Sequence, residues 1–204
     1  MSRFTGSIFK KSRKLGISLL ENNREFNKWK QRTTPPGQHG ATADRRKLSI
    51  YGEQLREKQK IVFMYGIHDT QLRRFFKQAR KIEGSLAYNL LILLERRLDN
   101  VVYRMNFAPT RRAARQLVSH GHVLVNGKKV NIPSALVNIN DEISIKPKCH
   151  HLPIVNALKD DDVLPFVSVD VENKKGVYLR YPERKELNQQ INEVYVVEWF
   201  KKLV

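Results

Sequence analysis

The chain has 204 residues, with 38 Lys and Arg against 20 Asp and Glu, a net charge of +18 and an isoelectric point near 10.2. That length allows one or two domains, and the charge excess marks a protein that meets polyanions. No run of about 18 apolar residues, no apolar signal-peptide core and no lipidation signal is present, so neither a membrane span nor a membrane partner is expected.

A single cysteine, Cys149, excludes an internal disulfide and a cysteine-rich zinc site, and it fits a reducing, cytosolic compartment. Its neighbours His150 and His151 cannot converge with it on one ion without further ligands, so no metal or cofactor is expected. The charge is unevenly spread: residues 1–50 carry 12 basic and 3 acidic groups, whereas residues 151–204 carry 8 and 9. The polyanion surface therefore belongs to the first three quarters of the chain.

In chain order, residues 1–45 are basic, lack a regular apolar period and are broken by Pro35, Pro36, Gly37 and Gly40; they read as an extended basic arm. From Tyr51 to Lys81 the period becomes helical, through Leu55, Ile61, Val62 and Tyr65 and then Leu72, Phe75, Phe76 and Ala79. Gly66 divides it into two short helices. Ser85 to Met105 is the strongest helix, with Leu86, Leu90, Leu94 and Leu98 spaced by four as a core stripe and Glu95, Arg96, Arg97 and Asp99 on the opposite, solvated face. Pairs on that face would be worth only about 0.2 to 0.5 kcal/mol each; for Asp99 a structural role is expected.

Residues 110–130, TRRAARQLVSHGHVLVNGKKV, hold the most informative pattern. Thr110 can cap a helix whose first turns carry Arg111, Arg112 and Arg115, and Gly121 can end it in the left-handed conformation. Cations near a helix N-terminus oppose the helix dipole, which suggests an external anion such as a run of phosphates. Beyond the glycine, His122–Val125 and Lys128–Ile132 flank Asn126-Gly127, a pair that favours a type I′ hairpin turn. His120 is either a helix cap or an RNA contact.

Ala135 to Ile145 alternates around an Asn140-Asp141 turn and predicts further antiparallel strand; Phe166–Val171 and Val177–Tyr181 predict a second hairpin. Glu183–Leu187 can begin a helix after Pro182. Ile191–Leu203 is read as helix despite its β-branched residues, with Tyr195, Trp199 and Phe200 packing back onto the early helices. The expected fold is α+β, in three parts. These are an arm (1–45), a discontinuous helical domain (46–94 with 183–204), and an inserted RNA-binding domain with a small antiparallel sheet (95–182).

PPGQHG at 35–40, YGEQLREKQK at 51–60, LLERRLDNVVYRM at 93–105 and the segment 110–130 together resemble the bacterial small-subunit ribosomal protein S-four family, in that family's order and over nearly the full chain. The resemblance implies a primary rRNA-binding protein that binds the five-way junction in the 5′ domain of small-subunit rRNA early in assembly. It implies a neighbouring ribosomal protein S-five, a place with proteins S-three and S-five along the channel through which mRNA enters, and a contribution to translational accuracy. Junction contacts then fall on Arg3, Lys10, Lys11, Arg13 and Lys14 of the arm, on Arg56, Lys58 and Lys60 of the early helices, and on Arg111, Arg112, Arg115, His120, Lys128 and Lys129. Arg45, Arg46 and Lys47 become the candidates for mRNA. Where many members carry the first cysteine pair of a zinc site, Phe9 and Ser12 stand here, so the chain is identified as a cysteine-free, zinc-less variant whose arm is ordered by rRNA and its own packing.

The residue types suit that work. Each guanidinium is planar, always charged and able to hold two phosphate oxygens, and A-form RNA presents phosphates and 2′-hydroxyls rather than base edges. Gly37 and Gly40 would let backbone N–H groups approach a phosphate, with Gln38 and His39 as contacts; the alternative is an ordinary turn. Trp29 either stacks on a base or anchors the arm, and Asp160–Asp162 reads as a solvated loop. Two rivals are an RNA-modifying enzyme using the hairpin module as an accessory grip and a non-ribosomal RNA-binding regulator. No nucleophile–base arrangement, nucleotide loop or zinc constellation supports the first, so no enzymatic activity is expected.

Overall fold

The computed structural model describes residues 4–21, 26, 34–40, 42, 47–152, 155 and 164–202. Arg3, Arg45, Arg46, Trp29 and Asp160–Asp162 lie outside the described residues. The chain forms two compact units, Met1–Asn89 with Asn188–Val204, and Leu90–Leu187. Among the described residues there are seven α-helices and one five-stranded antiparallel sheet, an α+β fold. No helix among them is long and apolar enough to cross a membrane.

The first unit is helical. The reading of residues 1–45 as wholly extended is corrected here, because α1 occupies Ile8–Leu15. Ser7 caps it by accepting from Lys10 N, Gly16 ends it at φ +72°, and Ser12 and Leu15 are buried. Leu15, Ile17 and Leu19 show no helical period, yet all three are buried. Helix α2 (Ile50–Met64) is capped by Ser49 and α3 (Asp69–Ala79) follows a reversal through Gly66, φ +61°. Helix α3 buries Leu72, Phe75, Phe76 and Ala79; a large apolar side chain of this kind is worth roughly 1.5 to 3 kcal/mol when fully removed from water.

Near the C-terminus lies the last helix, Glu193–Lys201, capped by the Asn192 side chain. This helix, α7, packs antiparallel on α2. Gln54 Nε2 donates to Glu198 Oε2 at 2.7 Å, Lys202 Nζ to Gln54 Oε1 at 2.8 Å, and Asn192 N to Glu57 Oε2 at 2.9 Å. Phe200 packs tilted against Phe76 and Trp199 against Tyr51, with ring centroids 4.9 and 4.7 Å apart. These contacts explain why Gln54 and Glu57 are buried: each has a partner, so desolvation is offset.

The expected long helix is two helices, α4 (Leu86–Glu95) and α5 (Leu98–Arg104). Arg97 leaves helical geometry at ψ 136° and bridges Leu136; Val137 N donates to Arg96 O, and Leu98 N to Ala135 O, both at 2.8 Å. The four-residue leucine spacing survives the break, which is why periodicity alone does not reveal it. The expected solvated face is also corrected. Glu95, Arg97 and Asp99 are 1%, 1% and 4% exposed.

Helix α6 covers Arg111–Ser119, and the sheet runs β2-β1-β3-β5-β4, with β1 at Val123–Val125, β2 at Lys128–Lys129, β3 at Glu142–Ile145, β4 at Val167–Asp170 and β5 at Lys175–Tyr178. Residues 135–139 do not pair with β3 as a hairpin, since their backbone is engaged by Arg96–Leu98, and Asn140 N donates to Tyr178 O at 2.7 Å. Glu183–Leu187 contributes only a 3-10 turn, Arg184–Glu186. The core gathers Leu98, Val101, Val102, Met105 and Phe107 with Leu117 and Val118 of α6 and Val123, Ile143, Ile145, Phe166 and Tyr178 of the sheet side.

Candidate nucleic-acid interface

Helix α6 is held by its ends. Thr110 Oγ1 accepts from Ala113 N at 3.2 Å, Gly121 turns left-handed at φ +70°, and Gly121 N and His122 N donate back to Val118 O and Leu117 O. Asn126 and Gly127 both take positive φ, 49° and 75°, as a type I′ turn needs. The turn is pinned from β3 and the residue before it: Asn126 Nδ2 donates to Asp141 Oδ1 at 2.8 Å, and Asn126 Oδ1 accepts from Glu142 N at 2.9 Å. Lys128 and Lys129 stand exposed on β2.

Arg112 is exposed at the first turn of α6. Arg111 is half-buried. Its Nε donates to Asn100 Oδ1 at 2.7 Å and its guanidinium lies 4.6 Å from the Tyr103 ring centre. Asn100 is fixed in turn by donating to Glu95 Oε2 at 2.6 Å, and Arg104 holds Glu95 through Nη2–Oε1 at 2.9 Å and Nε–Oε2 at 3.0 Å.

Arg115 differs from its neighbours. It is 7% exposed and its Nη1 lies 3.4 Å from Asp99 Oδ2, while Arg97 grips the same carboxylate at 3.0 and 2.6 Å. This corrects its placement among the RNA contacts: one turn along from Arg111 its side chain faces the core, where a buried carboxylate takes it. The surface cations of this segment are therefore Arg112 with the half-buried Arg111 on the first turn of α6, and Lys128 and Lys129 on β2.

In the first unit the α2 candidates are internally engaged. Lys58 Nζ lies 2.8 Å from Asp69 Oδ1 and 4.9 Å from the Trp199 ring centre; Lys60 Nζ lies 2.6 Å from Glu57 Oε1 and donates to Gln190 O at 3.0 Å. Arg56 Nη2 donates to Lys14 O at 3.3 Å. Lys58 and Lys60 each hold an ion pair within this unit, because α2 brings them within reach of acids on α3 and on α2 itself. Burial works to raise the Asp69 pKa, but hydrogen bonds and charge from Lys58 and Arg73 outweigh it and hold the carboxyl below its usual range.

On α1, Lys10 and Lys14 are exposed, Lys11 lies over the Phe63 ring at 4.8 Å, and Arg13 donates from Nη1 to Thr34 O at 3.3 Å. Gln38, His39 and Lys47 are exposed. Gly40 is buried, and a Cβ there would collide with Pro35 O, so its missing side chain serves the turn itself.

Reading by apolar period passes over the outer side of α3, where Arg73, Arg74, Lys77, Arg80 and Lys81 are all exposed. At 100° per residue they share an arc opposite Leu72, Phe75, Phe76 and Ala79, and a helical projection of residues 69–81 finds them.

The cysteine-free description holds for the arm alone. Cys149 is half-buried, its Sγ 3.1 Å from His122 Nδ1. Among the described residues, no group of three or more His, Cys, Asp or Glu side chains gathers to hold a metal.

Comparison with known proteins adds to this geometry. Residues 3–95 match the family model described as the ribosomal protein S4/S9 N-terminal domain, and residues 96–143 match the S4 domain. The chain is similar to the small ribosomal subunit protein uS4 of Malacoplasma penetrans, 58% identical over all of both chains, and to that of Mycoplasmoides gallisepticum, 56% identical over all of both chains. The uS4 protein of Mycoplasma pneumoniae is 54% identical over 99% of each chain.

Proposed function

Because the chain belongs to the uS4 family of ribosomal proteins, we propose that it is a primary rRNA-binding assembly protein of the small ribosomal subunit, a non-enzymatic structural constituent acting in the bacterial cytoplasm. In this reading it nucleates the 5′ domain of small-subunit rRNA by gripping its five-way junction. The unit Leu90–Leu187 is the RNA-binding module inserted into a discontinuous helical domain. Ribosomal protein S-five is a neighbour, and Lys47 with the preceding Arg45 and Arg46 lies toward mRNA where it enters the subunit, contributing to accuracy.

The observation that carries the reading is the exposed cation set of the S4 domain: Arg112, Lys128 and Lys129 project from a capped helix and a pinned hairpin. Scaffold elements that hold cations at fixed spacing suit a ligand recognised by the position of its phosphates. Arg111, stacked on Tyr103 and tied to Asn100, adds a guanidinium whose orientation is set before RNA arrives.

The test is a titration of the full chain against the 5′-domain junction RNA and against an unrelated RNA duplex of equal length, across salt. Counterion release steepens both curves. The expected outcome is that the junction stays markedly tighter as salt rises; coincident curves would reduce the protein to an unselective polycation.

A further inference from the structure

The C-terminal end of α6 holds a cluster of bases drawn from several elements. His120 closes the helix, exposed, and His122 follows half-buried, their rings edge to face with centroids 5.8 Å apart. Between them lies Gly121, over which Lys129 of β2 extends: a Cβ on Gly121 would collide with Lys129 Cε and sit 3.1 Å from its Nζ. Lys146, directly after β3, donates its backbone N to His122 O at 2.9 Å, and Cys149 Sγ lies 3.1 Å from His122 Nδ1. The charged groups acting on His122 are His120, Lys146 and Lys129, every one a base. The α6 dipole accounts for bases at His120 and Lys129, but it does not call for Lys146 and His122 beside them.

We propose that His120, His122, Lys129 and Lys146 form a subsite for one RNA backbone phosphate, and that filling it draws a proton from solvent onto the His122 imidazole. The inference rests on the RNA-binding reading above and adds a proton to it. With Nδ1 beside the Cys149 thiol, Nε2 of His122 is the nitrogen left to meet the phosphate. In the free protein, burial and then the neighbouring His120, Lys146 and Lys129 push the His122 pKa down, which favours its neutral ring. A phosphate among the four bases reverses the local potential and raises the His122 pKa. Proton uptake on binding means that affinity rises as pH falls through the interval between the free and bound pKa values.

The experiment is fluorescence anisotropy of the full chain with labelled 5′-domain junction RNA at fixed ionic strength, from about pH 8.5 to about pH 5.5, the range in which imidazoles titrate. Wild-type protein is expected to bind about tenfold tighter at the acid end, the effect of a pKa raised by about one unit on binding. His120→Gln with His122→Gln is expected to flatten that dependence and to weaken junction binding at the acid end. His120→Gln alone, at an exposed position that leaves the core untouched, is expected to lower the slope. A pH-independent wild type, or an unchanged slope in His120→Gln, overturns the subsite while leaving the RNA-binding reading standing. Loss of junction selectivity by wild type at every pH sinks both.

Discussion

Helices α2 and α6 both look like basic helices in sequence, and they put their cations to opposite uses. On α2, Lys58 and Lys60 reach Asp69 and Glu57, and Arg56 reaches a backbone carbonyl of α1. On α6, Arg112 stays exposed three residues before Arg115, which is paired with Asp99 in the core. The lesson is that a cation's availability is decided by the carboxylates the fold brings to it. Helix α2 packs against acids at Lys58 and Lys60, whereas Arg112, Lys128 and Lys129 of the S4 domain remain exposed.

The contrast can be broken most forcefully at Asp99. Asp99→Ala leaves Arg97 and Arg115 buried without their shared carboxylate, and unfolding free energy is expected to fall by about 3 to 5 kcal/mol. A denaturant midpoint within error of wild type would show that this cluster is not part of the fold's support.

Next in size is Arg112→Glu with Lys128→Glu. Both positions are exposed, so thermal stability should hold while junction affinity drops at least tenfold and the salt slope becomes shallower by about one for each phosphate no longer held. Lys201→Glu, an exposed cation outside the S4 domain, should do neither. Equal losses from both variants would mean that net charge alone drives binding.

Lys58→Met makes the opposite case. It removes a partly exposed ion pair, with Asp69 at 38% side-chain exposure, so a stability loss of at most about 1 kcal/mol is expected, with junction affinity nearly unchanged. A large affinity loss with intact stability would return Lys58 to the RNA-binding surface.

The smallest effect concerns acid. Asp69 has a folded pKa below its ordinary value of 3.8, so its contribution is present above that value and is lost as pH falls through the lowered folded pKa. Asp69→Asn should therefore weaken the acid dependence of stability by roughly a few tenths of a kcal/mol, discounted for solvent screening. An unchanged acid limb in chemical denaturation would contradict this.

Much of the fold is legible from local pattern. The α6 cap at Thr110, the left-handed stop at Gly121, the Asn126-Gly127 turn, the Gly66 break and the helical tail follow from residue types at fixed spacing, because caps and tight turns are decided within about four residues. Helix α1 escapes such a reading because its apolar residues are few, and the interruption at Arg96-Arg97 escapes it because the leucine spacing continues across the break. In the site, Arg112, Lys128 and Lys129 are legible as exposed cations, whereas the burial of Arg115 is not.

By itself, then, the sequence determined that this is a polyanion-binding chain of helices and one small antiparallel sheet, with its sharpest RNA signal at 110–130, since charge balance, hydrophobic period and turn chemistry are local quantities. Only the tertiary structure decided which cations stay exposed and which are buried or paired. Asp99 lies 16 residues from Arg115, Asp69 lies 11 from Lys58, and Lys129 meets Gly121 across a hairpin. Ion pairing depends on distance and burial in the folded chain, and neither is written in the order of residues along it.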